Sequence, residues 1–193
     1  MPRAGLNRGA VIDAASRLAD KEGLDAVTPA RLAAALGVKP PSLYKHVRGI
    51  DDIRRGLALR GLREADTRLQ RATVGKSRDE ALLALARAYR QFAKDRPGLY
   101  AASLRAARPG DREVAAAGEA VLGTVLAVLA GYHVTGDDAL HAIRGFRAII
   151  HGFVSLDAAG GFRLGLDLDE SLARLVRAFA RDLEMRGAGR RAG

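Results

Sequence analysis

Cysteine is absent from this sequence of 193 residues. Its absence excludes a disulfide framework, a thiolate metal site and a cysteine nucleophile, and it favours a reducing compartment. Apolar residues make up 48% of the chain. No apolar run approaches the roughly 18 residues that a membrane span needs, and no secretory signal opens the sequence. We therefore expect a soluble, cytoplasmic protein.

Motifs that carry catalysis are also missing. The sequence contains no nucleophile elbow, no HExxH zinc motif and no phosphate-binding P-loop. His141 and His151 lie on one predicted helix, but about 15 Å of helix axis separates them, which is too far for them to share one metal ion. The sequence therefore predicts neither an enzyme nor a protein that needs a metal or another cofactor.

Positive charge is in excess and is concentrated towards the N-terminus. The formal net charge is +10, and residues 1–71 carry 14 Lys and Arg against 8 Asp and Glu. Such an excess favours a polyanionic partner such as nucleic acid, because phosphates attract clustered cations. A solvated, arginine-rich surface would show the same excess, so charge alone does not decide the function.

Apolar residues recur at helical spacing through almost the whole chain, and no segment alternates as a strand would. The predicted fold class is all-α, with about nine helices. A change of composition at residues 72–76 precedes a new helix start. We predict a three-helix head at residues 1–50, a connecting helix at 51–71, a helical body at 72–186 and a disordered basic tail at 187–193.

Residues 28–47 read TPARLAAALGVKPPSLYKHV and have the pattern of a helix-turn-helix. Thr28 begins the first short helix, Gly37 marks the turn, and Pro40 begins the second helix. The apolar residues that would hold the two helices together are Leu32, Leu36, Val38, Leu43 and Val47. The residues left to face a DNA groove and its phosphates are Lys39, Ser42, Tyr44, Lys45 and His46.

The motif LGVKPPSLYKHV in this segment, followed by a helix with an acidic start, resembles that of the TetR family of bacterial repressors. HGFVSLDAAGGF, at residues 151–162, resembles a phrase in the C-terminal domains of one branch of that family. The resemblance implies a DNA-binding head, a ligand-binding body and a homodimer formed by the last two helices. It also implies a palindromic operator in double-stranded DNA and release by a small-molecule effector.

The resemblance also assigns roles to individual residues. Positions that touch DNA in the family fall on Thr28, Ser42, Tyr44 and His46, and Pro41 falls close to the groove. A phosphate-gripping Lys of the family is missing near the start of the fourth helix, where Arg48 is the candidate replacement. The DNA-binding residues expected here are Thr28, Arg31, Lys39, Pro40, Pro41, Ser42, Tyr44, Lys45, His46 and Arg48.

For the body, the resemblance favours a cavity for an apolar or amphipathic effector. The candidate lining residues, which a plain core would also contain, are Tyr89, Phe92, Tyr100, Leu104, Leu122, Phe146 and Ile150. The predicted dimer helices span residues 137–159 and 167–185, where an apolar stripe accompanies small residues. The expected dimer residues are Gly145, Gly152, Leu172, Leu175, Val176, Phe179 and Leu183.

Two other classes of protein fit parts of the sequence. A helical carrier or enzyme with a basic head would bind a small molecule without binding DNA, although no convergent acid, base and nucleophile support the enzyme. An architectural nucleic-acid protein would bind every DNA sequence about equally, with a steep salt dependence. Preference for one DNA sequence over others therefore separates the three classes.

Overall fold

The structure is a computed structural model that describes residues 6–105 and 107–189. Within these residues the regular structure consists of nine α-helices and one short 3₁₀ turn, Leu24–Ala26, with no strand. The helices are α1 (Arg8–Glu22), α2 (Pro29–Leu36), α3 (Pro40–Leu43), α4 (Ile50–Thr73), α5 (Arg78–Asp95), α6 (Pro97–Ser103), α7 (Arg112–Ala130), α8 (Gly136–Ala158) and α9 (Leu168–Gly189). The all-α prediction is confirmed.

The chain forms two compact units. The first comprises the described residues up to Glu64 together with Asp95–Gly118, and the second comprises Ala65–Lys94 and the described residues from Glu119 onward. This division differs from the linear head, connecting helix and body that the sequence predicts. The difference arises because α6 and the start of α7 pack with the N-terminal helices.

In the first unit, α6 lies directly against α1. A Cβ atom on Gly98 would lie 2.3 Å from the carbonyl carbon of Ala19, so only glycine fits at this contact. Next to it, Arg96 donates to Asp20 at 2.8 Å and to Glu64 at 2.6 Å. Asp20 also accepts the backbone N–H of Gly98 at 3.0 Å. These bonds fix the start of α6 on α1 and α4.

In the second unit, a buried tyrosine connects three elements. Tyr132 follows α7, is 2% exposed and donates its hydroxyl to Asp79 of α5 at 2.7 Å. The guanidinium of Arg78 lies 5.3 Å from the centre of the tyrosine ring and donates to Glu184 of α9 at 2.6 Å. Burial, followed by the bond to Asp79, raises the pKa of Tyr132, so the hydroxyl stays protonated.

A second arginine, Arg90 of α5, connects α5 to α8 and α9. It donates to Asp157 at 2.8 Å and pairs with Asp169, and its guanidinium lies 5.6 Å from the ring centre of Phe153. Its side chain is 12% exposed. Arg90 therefore joins the three helices through polar contacts, of which the one to Asp157 is largely buried and the one to Asp169 lies at the surface.

The end of the last helix differs from the sequence prediction. The last helix continues through Gly189 and so includes the first three residues of the predicted disordered tail, whereas residues 190–193 lie outside the described residues.

One of the described helices, α7, is long and apolar enough to cross a membrane, judged by its length and composition alone. One such helix is weak evidence for a membrane span, because a helix of a water-soluble protein can pass the same test. The sequence has no apolar run of about 18 residues without a charge here, because Glu119 lies within α7.

Candidate nucleic-acid interface

The turn between α2 and α3 is built from local hydrogen bonds. The side-chain oxygen of Thr28 accepts the backbone N–H of Arg31 at 3.4 Å and so caps the start of α2. Gly37 ends α2 in the left-handed conformation, with φ 67° and ψ 33°. The next N–H, that of Val38, bonds to the carbonyl of Ala33 at 2.9 Å, as in a Schellman motif. The glycine therefore sets the direction in which α3 leaves α2.

The helix α3 is shorter than predicted. The sequence predicts a helix to about Val47, but α3 ends at Leu43 and residues 44–46 form a turn. The N–H of His46 bonds to the carbonyl of Leu43 at 2.9 Å, a three-residue spacing that tightens the end of a helix. The chain then bends at Gly49, with φ 126°, to enter α4.

The predicted apolar brace is buried at its centre. Leu32 is 0% exposed, Leu43 1% and Val47 3%. Leu36 and Val38 are only partly buried, because they lie at the turn itself. The short helices are therefore held in place by packing, since two helices this short are not stable by themselves in water.

All ten predicted DNA-binding residues are accessible. Ser42 and His46 are partly exposed and the other eight are exposed, including Tyr44 at 56%. Arg31 forms an ion pair with Glu22 of α1, so it would have to exchange this partner in order to reach a phosphate. The predicted residues thus lie on the accessible surface of residues 28–48, which comprise α2, α3, the turn between them and the segment that follows α3.

The start of α4 holds Arg48 in position through the backbone. The N–H of Arg48 donates to the carboxylate of Asp52 at 3.2 Å, while the Arg48 side chain is exposed. Arg8 of α1 donates to the same carboxylate at 2.8 Å and, as the largest cause, lowers the pKa of Asp52. The carboxylate therefore remains charged and keeps both bonds at neutral pH.

Comparisons with known proteins match both parts of the chain. A family profile described as "Bacterial regulatory proteins, tetR family" matches residues 11–56, and one described as "Tetracyclin repressor-like, C-terminal domain" matches residues 82–179. The HTH-type transcriptional regulator YobS of Bacillus subtilis is 38% identical over 178 residues, 92% of this chain and 93% of that protein. The chain belongs to the TetR family.

Solved structures agree with membership of the TetR family. A protein with unknown function from a Rhodococcus species has a TM-score of 0.81 and 25% identity, covering 95% of this chain and 98% of that one. The TetR-family regulator PfmR of Thermus thermophilus has a TM-score of 0.67 and 19% identity over 89% and 97%, and shows the fold. The protein is therefore a TetR-family transcriptional regulator with an N-terminal helix-turn-helix that binds DNA.

The seven residues predicted to line an effector cavity in this TetR-family regulator are divided between the two units. Tyr100 and Leu104 lie in the first unit, and the other five lie in the second. Leu122 is 37% exposed. Three residues are core residues, at most 3% exposed: Phe92, Phe146 and Ile150. Helical periodicity predicts which residues share an apolar face, but it does not tell a filled core from the wall of a cavity.

An open groove of about 300 Å³ lies elsewhere in the second unit. None of the seven predicted lining residues borders it. It follows the turn between α4 and α5, and its wall combines polar side chains from that turn with small apolar residues of α7. The groove is lined by Gln70, Thr73, Val74, Lys76, Ser77, Arg78, Thr124, Ala127, Val128 and Gly131.

A polar pair joins the aromatic side chains of α5 and α8. The hydroxyl of Tyr89 and Nε2 of His151 are 3.4 Å apart, and the two rings meet edge to face with centres 5.3 Å apart. Burial, followed by the positive charge of Arg147, lowers the pKa of His151 to about 4, so the ring is neutral at pH 7. The sequence did not indicate this pair, because its members lie far apart along the chain.

The predicted dimer residues need correction on α9. Leu172, Val176 and Leu183 are at most 1% exposed within the single chain, so they cannot form a face between two copies. The apolar stripe that the sequence shows is the side of α9 that packs inside its own unit. A stripe with the right spacing does not reveal whether its partner is the same chain or another one.

The other four predicted dimer residues differ in access. Leu175 is 44% exposed, and a Cβ atom on Gly152 would meet nothing within 4 Å, so both positions are open. Phe179 is partly exposed and lies 5.7 Å, centre to centre, from the ring of Phe146. A Cβ atom on Gly145 would lie 3.3 Å from the Phe179 ring. Gly145 therefore allows contact between α8 and α9 of one chain.

Proposed function

We propose that this regulator is a cytoplasmic homodimeric repressor that binds a palindromic operator and leaves it when a small molecule binds the second unit. The observation that carries the DNA-binding part is the arrangement of α2 and α3. Leu32, Leu43 and Val47 are buried beneath an accessible surface that contains every predicted DNA-binding residue. Groove-facing polar side chains on a buried apolar brace are what a helix-turn-helix requires.

A dimer is proposed because one short helix contacts few base pairs. Two heads on half-sites about one helical turn apart supply the remaining specificity. The last two helices leave apolar side chains accessible, with Leu156 51%, Leu175 44% and Met185 69% exposed. Ala148 and Gly152 of α8 are also exposed and are small enough for a partner helix to approach closely.

The effector is proposed to be apolar or amphipathic, with one polar contact. The aromatic side chains of α5 and α8 offer a mainly apolar environment, and the neutral His151 beside Tyr89 offers a hydrogen-bonding group. The molecule would release the dimer from its operator if it binds the DNA-free conformation more tightly than the DNA-bound conformation. We propose no catalytic activity.

Fluorescence anisotropy with duplexes from the intergenic DNA beside the gene tests this function. We expect one duplex to bind at least about 1000-fold more tightly than a random duplex of equal length at the same salt concentration. Equal affinity for all duplexes would instead indicate an architectural protein. Small-molecule binding without any DNA affinity would indicate a carrier.

A further inference from the structure

Two arginines from outside α4 meet the acidic first turn of that helix. Arg108, in the segment between α6 and α7, lies 3.2 Å from a carboxylate oxygen of Asp51. A guanidinium nitrogen of Arg8, the first residue of α1, lies 2.8 Å from a carboxylate oxygen of Asp52. Both arginines are distant in sequence from the helix-turn-helix, and neither belongs to the DNA-binding set predicted from the sequence.

The chain fixes Arg108 in this place through a turn and an ion pair. The N–H of Asp111 bonds to the carbonyl of Arg108 at 3.0 Å, and Gly110 within this turn has φ 84°, which favours glycine. The carboxylate of Asp111 accepts two bonds from Arg55, at 2.7 and 2.9 Å. Arg55 lies one helical turn after Asp51 on α4, so the two-bonded pair anchors the loop beside the start of α4.

In each of these two ion pairs, the carboxylate uses only part of the hydrogen-bonding capacity of the arginine. The Arg108 side chain is 72% exposed and that of Arg8 is 45% exposed. A guanidinium has five N–H donors, and each pair uses one nitrogen of the guanidinium. Exposed pairs of this kind contribute little to stability, because water screens the two charges. Stability alone is therefore a weak reason for this arrangement.

The two pairs lie next to the end of the helix-turn-helix. Asp51 follows the exposed Arg48 by three residues, and Asp52 bonds to the backbone of Arg48 at 3.2 Å. Two exposed guanidiniums therefore pair with the two carboxylates, and the exposed side chain of Arg48 adds a third positive charge three residues before Asp51. An exposed, preorganised guanidinium is a good ligand for phosphate, because it can form two parallel hydrogen bonds.

We propose that Arg108 and Arg8 bind DNA phosphates beside the groove that the helix-turn-helix enters. Asp51 and Asp52 hold the two guanidiniums in position before DNA arrives. The inference rests on the DNA binding of the proposed function and adds a contact from the segment between α6 and α7. Phosphate contacts carry no sequence information, so these arginines act on every DNA sequence alike.

Fluorescence anisotropy with a labelled random-sequence duplex tests the inference without knowledge of the operator. We expect Arg108→Ala to weaken binding about threefold to fivefold, the range of an exposed ion pair. The slope of log affinity against log salt should become shallower by about 0.9 for each head bound, and Arg108→Lys should keep the wild-type slope. Arg8→Ala should act in the same way. Arg163→Ala, at an exposed arginine between α8 and α9, is the matched control and should change neither quantity.

The same assay on an Asp51→Asn background separates phosphate binding from simple neutralisation of Asp51. If Arg108 binds phosphate, Arg108→Ala weakens binding and flattens the salt slope on this background too. An unchanged slope on this background overturns the inference while the proposed function stands. If the wild type fails to bind the duplex even at about 50 mM salt, DNA binding itself is refuted and the inference falls with it.

Discussion

The two units of this regulator differ in what they expose to water. Among the described residues, the first unit exposes two large hydrophobic side chains, Tyr44 and Leu104. The second exposes ten: Val74, Leu122, Leu126, Leu140, Leu156, Phe162, Leu164, Leu166, Leu175 and Met185. The first unit therefore buries nearly all of its large hydrophobic side chains within one chain. The second unit leaves an apolar surface in contact with water, which is unfavourable.

The difference indicates two kinds of binding. The first unit exposes cations and hydrogen-bonding groups around α3, among them Lys39, Lys45 and Arg48, which match the phosphates and base edges of DNA. The second unit exposes leucines on α8 and α9, which match another apolar surface. We infer that the first unit binds DNA and the second binds a further copy of itself, and the next two predictions each test one side of this contrast.

The largest expected effect is on the second unit. Leu156→Asp combined with Leu175→Asp should convert the dimer into a monomer and raise its dissociation constant at least about 1000-fold. The reason is that burial of each leucine contributes about 1.5 to 3 kcal/mol and every substitution occurs twice in a two-fold interface. Analytical ultracentrifugation measures the change.

The matched control for this dimer prediction is Leu164→Asp. Leu164 is 80% exposed in the segment between α8 and α9, outside the two helices, and its substitution should leave the dimer intact. Circular dichroism should show that the double variant keeps its helices. A folded double variant that still sediments as a dimer at micromolar concentration would show that the dimer does not form through this face of α8 and α9.

A smaller effect is expected on the first unit. Tyr44→Ala should weaken specific binding by about 1 to 3 kcal/mol and relax base preference, as loss of a base-edge contact does. Lys45→Ala should instead weaken specific and random DNA about equally and flatten the salt dependence. Both side chains are exposed, so the melting temperature should stay close to that of the wild type.

Anisotropy titrations of the operator and of a random duplex distinguish these two kinds of loss. Lys94→Ala, an exposed lysine of the second unit, serves as the control and should bind as the wild type does. Wild-type affinity in both the Tyr44 and the Lys45 variants would show that the turn after α3 does not present these side chains to DNA.

The smallest expected effect is the pH dependence of the second unit. His151 titrates near pH 6.5 when unfolded, but its pKa is lowered to about 4 in the folded chain. The unfolded state therefore binds a proton first, and stability should fall as the pH drops from about 6.5 towards 4. The loss between pH 7 and pH 5 should be at most about 2 kcal/mol, and less because solvent screens the partly exposed ring.

Urea unfolding of the wild type and His151→Gln at fixed protein concentration measures this pH dependence. We expect the variant to lose less stability on acidification than the wild type does, since glutamine does not titrate. Equal losses in the two proteins would show that His151 is not held neutral by its surroundings.

The sequence predicts the helix-turn-helix better than the contacts between distant segments for a physical reason. The cap at Thr28, the glycine turn at Gly37 and the buried Leu32 and Leu43 are all determined by neighbours within a few residues. In contrast, the position of Arg108 beside Asp51 depends on packing between distant segments. Local patterns therefore predicted the helix-turn-helix but not the arginine beside it.

In the second unit, helical spacing predicts which residues are apolar but not what covers them. Leu172 and Val176 were assigned to a dimer on that spacing, and the structure buries both inside the chain. The partnership of Tyr89 with His151 was missed for the same reason. These assignments need tertiary contacts, which one periodic stripe does not contain.

The measurement that tests the contrast most directly is a hydroxyl-radical footprint of the wild type on its flanking intergenic DNA. We expect a bounded, two-fold symmetric pattern with two half-sites whose centres lie about 10 base pairs apart, if the second unit joins two identical heads as proposed. A single protected half-site at saturation would contradict the dimer. Uniform protection without boundaries would contradict sequence recognition by the first unit.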